Sequence, residues 1–138
     1  MTIHPQLKSD SIVIGRFELS YVLLVKDANY PWLILVPDLD NLTEIYQMSV
    51  EQQQQLLAES SYLAGKMMQH FHADKMNIAA LGNVVPQLHL HHIVRYVGDL
   101  SWPAPVWGRH AAKEYSAQEL TARIAEVKGL LADKLISQ

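Results

Sequence analysis

Three of the seven histidines in this 138-residue chain fall within four positions, inside the segment Gln87-Leu88-His89-Leu90-His91-His92-Ile93-Val94-Arg95. The apolar residues between and after them read as a strand over Leu88 to Val94. Side chains alternate faces along a strand, so Gln87, His89, His91 and Ile93 share one face and Leu88, Leu90, His92 and Val94 the other. The second face is apolar except for His92. It is expected to lie under helices, with His92 a hydrogen-bonded structural histidine. The first face carries a polar row, Gln-His-His, with neighbours about 6–7 Å apart.

Such a row suits phosphate. Histidine is the side chain whose ordinary pKa lies near neutrality, so one ring can be a neutral nucleophile beside a second that donates a proton. The attacking nitrogen needs its partner nitrogen tied to an acceptor that fixes the tautomer. A further donor can then neutralise charge on the non-bridging oxygens. Gln87 donates through its amide but carries no titratable proton. Other readings of the row stand beside this one. His-x-His on a strand is a metal-ligand spacing, though a carboxylate or distant histidine would have to complete the site. The rings could equally be solvated surface groups without a ligand. His4, His70, His72 and His110 are isolated or lie at helix ends or in loops, and no role is assigned to them.

Composition narrows the partners. The formal net charge is -3 and no run of Lys or Arg stands out. A nucleic-acid polymer is therefore disfavoured, because backbone affinity needs many cationic contacts; a single nucleotide needs far fewer. The chain has no cysteine, which removes disulfides, thiolate metal sites and a Cys nucleophile. The N-terminal stretch MTIHPQLKSD has no basic segment followed by an apolar run, and the longest apolar stretches are too short to span a bilayer. The expectation is a soluble cytoplasmic protein with no bound cofactor or resident metal and no membrane partner.

The elements that must hold the row are legible by pattern. Ile12-Val13-Ile14, Tyr21 to Val25, and Trp32 to Val36 closed by Pro37 read as strands. The turn Lys26 to Pro31 between the last two is too short for a crossover, so they pair antiparallel. Ser49 with Gln52 forms a capping box for an amphipathic helix from about Val50 to about Phe71. Met76 to Leu81 is a short strand ended by Gly82-Asn83. Asp99 to Gly108 is a loop rich in Trp and Pro. Ser116 with Glu119 caps a second long helix, about 116–136, with the stripe Leu120, Ile124, Val127, Leu131 and Leu135. No linker divides the chain, so a single domain spans 1–138, with a core of about 12–108. The fold class is α+β, a mostly antiparallel sheet of about five strands backed on one side by two main helices.

With these elements in place, Gln87-Leu88-His89-Leu90-His91-His92-Ile93 resembles the motif of the histidine-triad (HIT) family, which alternates three histidines with apolar residues. The second and third triad positions match; the first is Gln87. Leu33 to Pro37, the long helix, the short strand and the Gly82-Asn83 loop follow in the family's order. Arg95, Gly98 and Asp99 are similar to the end of the motif in the dinucleotide-hydrolase branch. The resemblance covers roughly Ile12 to Gly108. It is nearest to a bacterial subset with Gln-Leu-His-x-His-His followed by Trp-Pro-x-Pro-Val-Trp-Gly.

The resemblance implies a nucleotidyl hydrolase or transferase acting at the α-phosphorus of a purine nucleotide derivative. The derivative would be a nucleoside phosphoramidate or a dinucleoside polyphosphate. His89 would attack and form a nucleotidyl-histidine intermediate, oriented by the backbone carbonyl of Gln87, and His91 would contact phosphate oxygens. Asn83 lies in the loop that offers polar groups to phosphate, or takes a left-handed turn conformation there. Asp27 lies near the family's ribose-hydroxyl acceptor. Family members dimerise by pairing sheets, and Trp102-Pro103 resembles a segment that reaches the partner's site in one branch. Gln87 removes one imidazole, and Trp32 stands where several branches carry another histidine. A nucleotide-binding protein with little catalysis, or a His-based metal-binding protein, are the alternatives.

Overall fold

The computed structural model describes residues 1–136. The clusters of β-branched and aromatic residues become strands β1 (Ser11–Arg16), β2 (Ser20–Val25) and β3 (Trp32–Pro37). Their short connections permit only antiparallel pairing. β4 (Lys75–Ala79) and β5 (Leu90–Arg95) complete a five-stranded sheet of order β1-β2-β3-β5-β4, antiparallel throughout. β5 is thus interior, between β3 and β4, with Ile34 opposite His91 on one side and Ala79 on the other. Every residue of β3 and β5 is buried, as expected of strands covered on both faces.

One face is closed by the two expected helices. Helix α2 (Val50–His70) starts at the Ser49–Gln52 capping box and turns Leu56, Leu63 and Met67 inward. These pack with Val22, Leu24, Leu33, Leu35, Leu90 and Val94 of the sheet. Helix α3 (Ala117–Leu130) starts at the Ser116–Glu119 box. It is shorter than its apolar stripe suggests. The helix gives way after Leu130, and Ile136 bridges Arg16, with N–O distances of 2.7 and 2.8 Å. Gly15 makes that approach possible: a Cβ there would lie 2.7 Å from the Ile136 carbonyl oxygen and 3.0 Å from Leu135. Leu135 therefore packs over the sheet edge instead of extending the helix.

The other face is also covered, which the one-sided reading of the sequence did not anticipate. A short helix α1 (Pro5–Asp10) begins with proline in its first turn and is capped by the His4 ring, which accepts from the Gln6 amide at 3.0 Å. Its Leu7, with Ile3 before it, packs on Leu23, Trp32, Ile34 and Ile93; Val106 and Trp107 join from the loop after β5. The histidine row lies on this second face. Regular pairing of β5 begins at Leu90 and not Leu88, because the Leu88 amide donates to the Leu42 carbonyl at 2.9 Å.

The loop after β5 is anchored by a buried ion pair. Arg95, 1% exposed, donates from Nε and Nη2 to the two oxygens of Asp99 at 2.8 and 2.9 Å, and from Nη1 to Asn77 Oδ1 at 2.8 Å. Tyr30 and Trp102 place their rings 5.7 and 5.6 Å from the guanidinium. That fork holds the Asp99 carboxyl down to about 2 despite its burial. Truncating one partner of such a pair strands a buried charge. Asp99→Ala should therefore lower unfolding free energy by about 3 kcal/mol or more in urea titration; a change within the range of ordinary surface substitutions would show that the pair does not anchor the loop.

Candidate functional site

His89 and His91 lie on the α1 face, as alternation from Ile93 requires, with ring centroids 4.9 Å apart. They are 7% and 6% exposed. Each ring has one nitrogen fixed by a partner of known polarity. His89 Nδ1 lies 2.7 Å from the Gln87 carbonyl oxygen. A carbonyl only accepts, so Nδ1 holds the proton and Nε2 keeps its lone pair. His91 Nδ1 lies 3.0 Å from Trp32 Nε1. The indole N–H only donates, so this nitrogen is the acceptor. A groove beside His89 is lined by Thr43, Glu44, Ala80, Gly82 and Pro86.

Burial lowers the His91 pKa to about 3, and the neighbouring His89 and His92 rings add to the shift. The ring is enclosed by two indoles, Trp32 at 5.6 Å and Trp107 at 5.1 Å between centroids, and these stand edge-on to one another. His92 points to the helix face, as alternation predicts. Its Nδ1 donates to the Leu90 carbonyl at 3.0 Å and its Nε2 accepts from Ser60 Oγ at 2.7 Å. Burial lowers its pKa to about 4, although the bond to Leu90 opposes the shift.

The remaining expected residues are not all gathered here. Gln87 turns its side chain to the N-terminal segment, accepting from the His4 amide at 2.8 Å and donating to the Thr2 carbonyl at 3.0 Å. It gives His89 its backbone oxygen and not its amide. Asn83 is exposed in the loop before the row. The left-handed turn there belongs to Gly82, at φ 74°, and not to Asn83. Asp27 is buried, and its Oδ1 accepts from the amides of Asn29 and Lys113 at 2.9 and 3.2 Å. Trp102 lies against Arg95, four residues beyond His91 and so about 13 Å along the strand. Two residues that sequence reasoning did not place among the site residues, Trp32 as hydrogen-bond donor and Trp107 as a wall, flank His91. Trp32 had a signal in its strand parity and its place opposite β5. Trp107 had one only in the Trp-Pro-x-Pro-Val-Trp-Gly segment of the resemblance. Among the described residues, no group of three His, Asp or Glu converges to hold a metal ion.

The fold and site define an α+β protein with its candidate row running into an interior strand of an antiparallel sheet. The HIT domain model matches residues 6–98, and the chain belongs to that family. It is similar to a histidine triad protein from Marinobacter aquaeolei VT8, with 48% identity over 96% of this chain and 97% of the other, at a TM-score of 0.93. It is also similar to a histidine triad protein from Bradyrhizobium japonicum, with 44% identity over 98% of both chains and a TM-score of 0.89. A third, from Sinorhizobium meliloti 1021, shares 39% identity over 91% of this chain and 95% of the other, at a TM-score of 0.85. Comparison with curated proteins gives no match. Membership supports a nucleotide-binding or hydrolase-type function. No helix among the described residues is long and apolar enough to cross a membrane.

The two buried rings make stability depend on pH. Below pH 6.5 the unfolded chain protonates His91 and His92, while the native state leaves them neutral until about pH 3 and 4. The unfolded state then binds more protons, so their contribution is complete above about pH 6.5 and is lost as pH falls toward 3. Urea unfolding at about pH 4.5 should give a free energy several kcal/mol below that at pH 7. His92→Gln should flatten the decline; an equally steep decline in that variant would show that its ring is not the group responsible.

Proposed function

We propose that the protein is a nucleotidyl hydrolase or transferase in which His89 attacks the α-phosphorus of a purine nucleotide derivative. The observation that carries this reading is the 2.7 Å bond from His89 Nδ1 to the Gln87 carbonyl. It leaves the Nε2 lone pair available and gives the opposite nitrogen an acceptor for the charge that develops on attack. Nε2 forms a bond to phosphorus, and the bond to the leaving group breaks with its electrons going to the departing atom. The ring then carries a positive charge shared with the Nδ1–H, which the carbonyl accepts. Water, or another acceptor hydroxyl, displaces the imidazole from phosphorus and releases its proton to solvent. His91 would hold the non-bridging oxygens.

The remaining roles follow from placement. Asn83 is the proposed phosphate contact of the loop preceding the row. Asp27 Oδ2, the oxygen not bound by Asn29 and Lys113, is the proposed ribose acceptor. Trp102, far along the strand from the His89 of its own chain, is proposed to serve a second subunit's site in a homodimer. The outer edge of β4 has no strand beside it among the described residues, and Ile78, Leu81 and Val84 are exposed at or near it. An edge of that kind favours pairing with another copy; light scattering should give about twice the mass of the 15.6 kDa chain, and a monomer would end the dimer reading.

A second reading is a nucleotide-binding protein with little catalysis. It is favoured by the Gln87 amide, which is occupied by the N-terminal backbone and supplies no proton to a leaving group. The metal alternative finds no convergent third ligand among the described residues. His89→Ala should reduce turnover of an adenosine phosphoramidate or a dinucleoside polyphosphate by at least about 1,000-fold, the scale of a lost nucleophile, with little change in Tm. Undiminished turnover would overturn the catalytic reading. Micromolar AMP binding by calorimetry without product over hours would favour the second.

A further inference from the structure

The row contains two adjacent imidazoles whose fixed nitrogens have opposite polarity. His89 is held by an acceptor and His91 by a donor. We propose that Trp32 is a positioning residue: its indole N–H holds the His91 proton on Nε2, so that His91 meets the substrate as a neutral hydrogen-bond donor and not as an acid. This rests on the reading of the row as a phosphoryl-transfer site, but the tautomer itself can be measured without substrate.

Geometry carries the inference. A neutral imidazole has one proton and two nitrogens. With Nδ1 accepting from Trp32, the proton sits on Nε2. Protonating Nδ1 would set two N–H groups facing each other across 3.0 Å. Trp32 cannot swing aside freely. It is buried on β3, opposite Ile93 of β5, and packs edge-on against Tyr30 at 6.4 Å and Trp107 at 5.9 Å. The ionisable groups acting on His91, the His89 ring just ahead of β5 and the His92 ring on it, both disfavour a positive charge there. The aromatic side chains packed on it from other elements, Trp32 and Trp107, are not ionisable.

The consequence divides the chemistry between the two rings. His89 presents a lone pair to phosphorus, and His91 presents an N–H to the oxygens around it. Neither ring gives a proton to the leaving group, whose electrons must be stabilised by the group itself or by solvent. Leaving groups that are stable as anions, such as a nucleoside phosphate released from a phosphoanhydride, meet that requirement. An amine released from a phosphoramidate does so only after gaining a proton from solvent.

The test is the ¹⁵N spectrum of the histidine ring nitrogens in the resting protein, recorded from about pH 5 to about pH 8, the range in which ordinary histidines change charge. His91 should show an unprotonated Nδ1 and a protonated Nε2 throughout. In Trp32→Phe, which keeps an aromatic ring and removes the donor, a Nδ1-protonated form of His91 should appear and its titration should move up toward the ordinary range. Trp107→Phe, which changes packing and no hydrogen bond to His91, should leave the His91 signals as in the wild type. With substrate, Trp32→Phe should lower kcat/KM about 10-fold, the scale of one hydrogen bond, and add an ionisation to its acid limb. A wild-type His91 protonated on Nδ1, or identical His91 signals in Trp32→Phe, would overturn the proposal. So would the same change in both tryptophan variants, which would assign the effect to burial. The wild-type spectrum decides the tautomer even where a variant does not fold. His89→Ala activity tests the catalytic reading separately.

Discussion

A neutral imidazole has one proton and two nitrogens that can hold it, and the atom next to each nitrogen decides the choice. In this protein two neighbouring rings receive opposite instructions. The Gln87 carbonyl accepts from His89, and the Trp32 indole donates to His91. One partner comes from the backbone that leads into β5, the Gln87 carbonyl, and the other from β3 beside it, the Trp32 indole. Neither instruction needs a charged residue. That matters because the strand is buried, and a carboxylate placed there to orient an imidazole would carry a large desolvation cost.

The surrounding architecture keeps those two partners in place. β5 lies between β3 and β4 and is hydrogen-bonded on both edges, so His91 is set by strand geometry, while His89, one residue ahead of β5, is fixed by its bond to the Gln87 carbonyl. His92 secures the same strand from behind through Ser60 of α2. At the far end, Arg95 grips Asp99 and fixes the start of the loop that returns Val106 and Trp107 to the site face. A salt bridge that far from His89 acts on the site through the loop, by deciding where the second indole lies.

Much of this was legible in the sequence because it depends on parity. Period two separated His92 from His89 and His91, and the capping boxes at Ser49 and Ser116 marked both helix starts. What period and propensity do not encode is contact between distant segments. The short helix at Pro5–Asp10 has too few residues to show a periodic stripe. The end of α3 is decided by the bare Cα of Gly15, more than a hundred residues away. Asp27 was placed by resemblance beside a ribose, but its Oδ1 is taken up by Asn29 and Lys113; no local pattern announces a partner from the C-terminal region. Trp32 was noticed as a missing histidine, whereas its function lies in the single proton its indole can donate.

Gln87, which the resemblance places at the first triad position, separates two contributions that a histidine there would combine. The backbone carbonyl of residue 87 orients His89 whatever side chain the residue carries. The side chain is free to do other work, and Gln87 uses it to bind the backbone of Thr2 and His4, which fastens the N-terminal segment beside the row. A glutamine is well suited to this because one side chain both accepts from an amide and donates to a carbonyl, as a neighbouring strand would. A neutral imidazole also has one donor and one acceptor, but they sit on separate ring nitrogens and cannot meet two adjacent backbone groups side by side as a carboxamide does. Gln87 thus keeps the orientation of His89 while its side chain serves as a structural clamp in place of a titratable group. With His91 held neutral as well, the two rings bring a lone pair and an N–H to the proposed reaction, and acid catalysis contributes little to it.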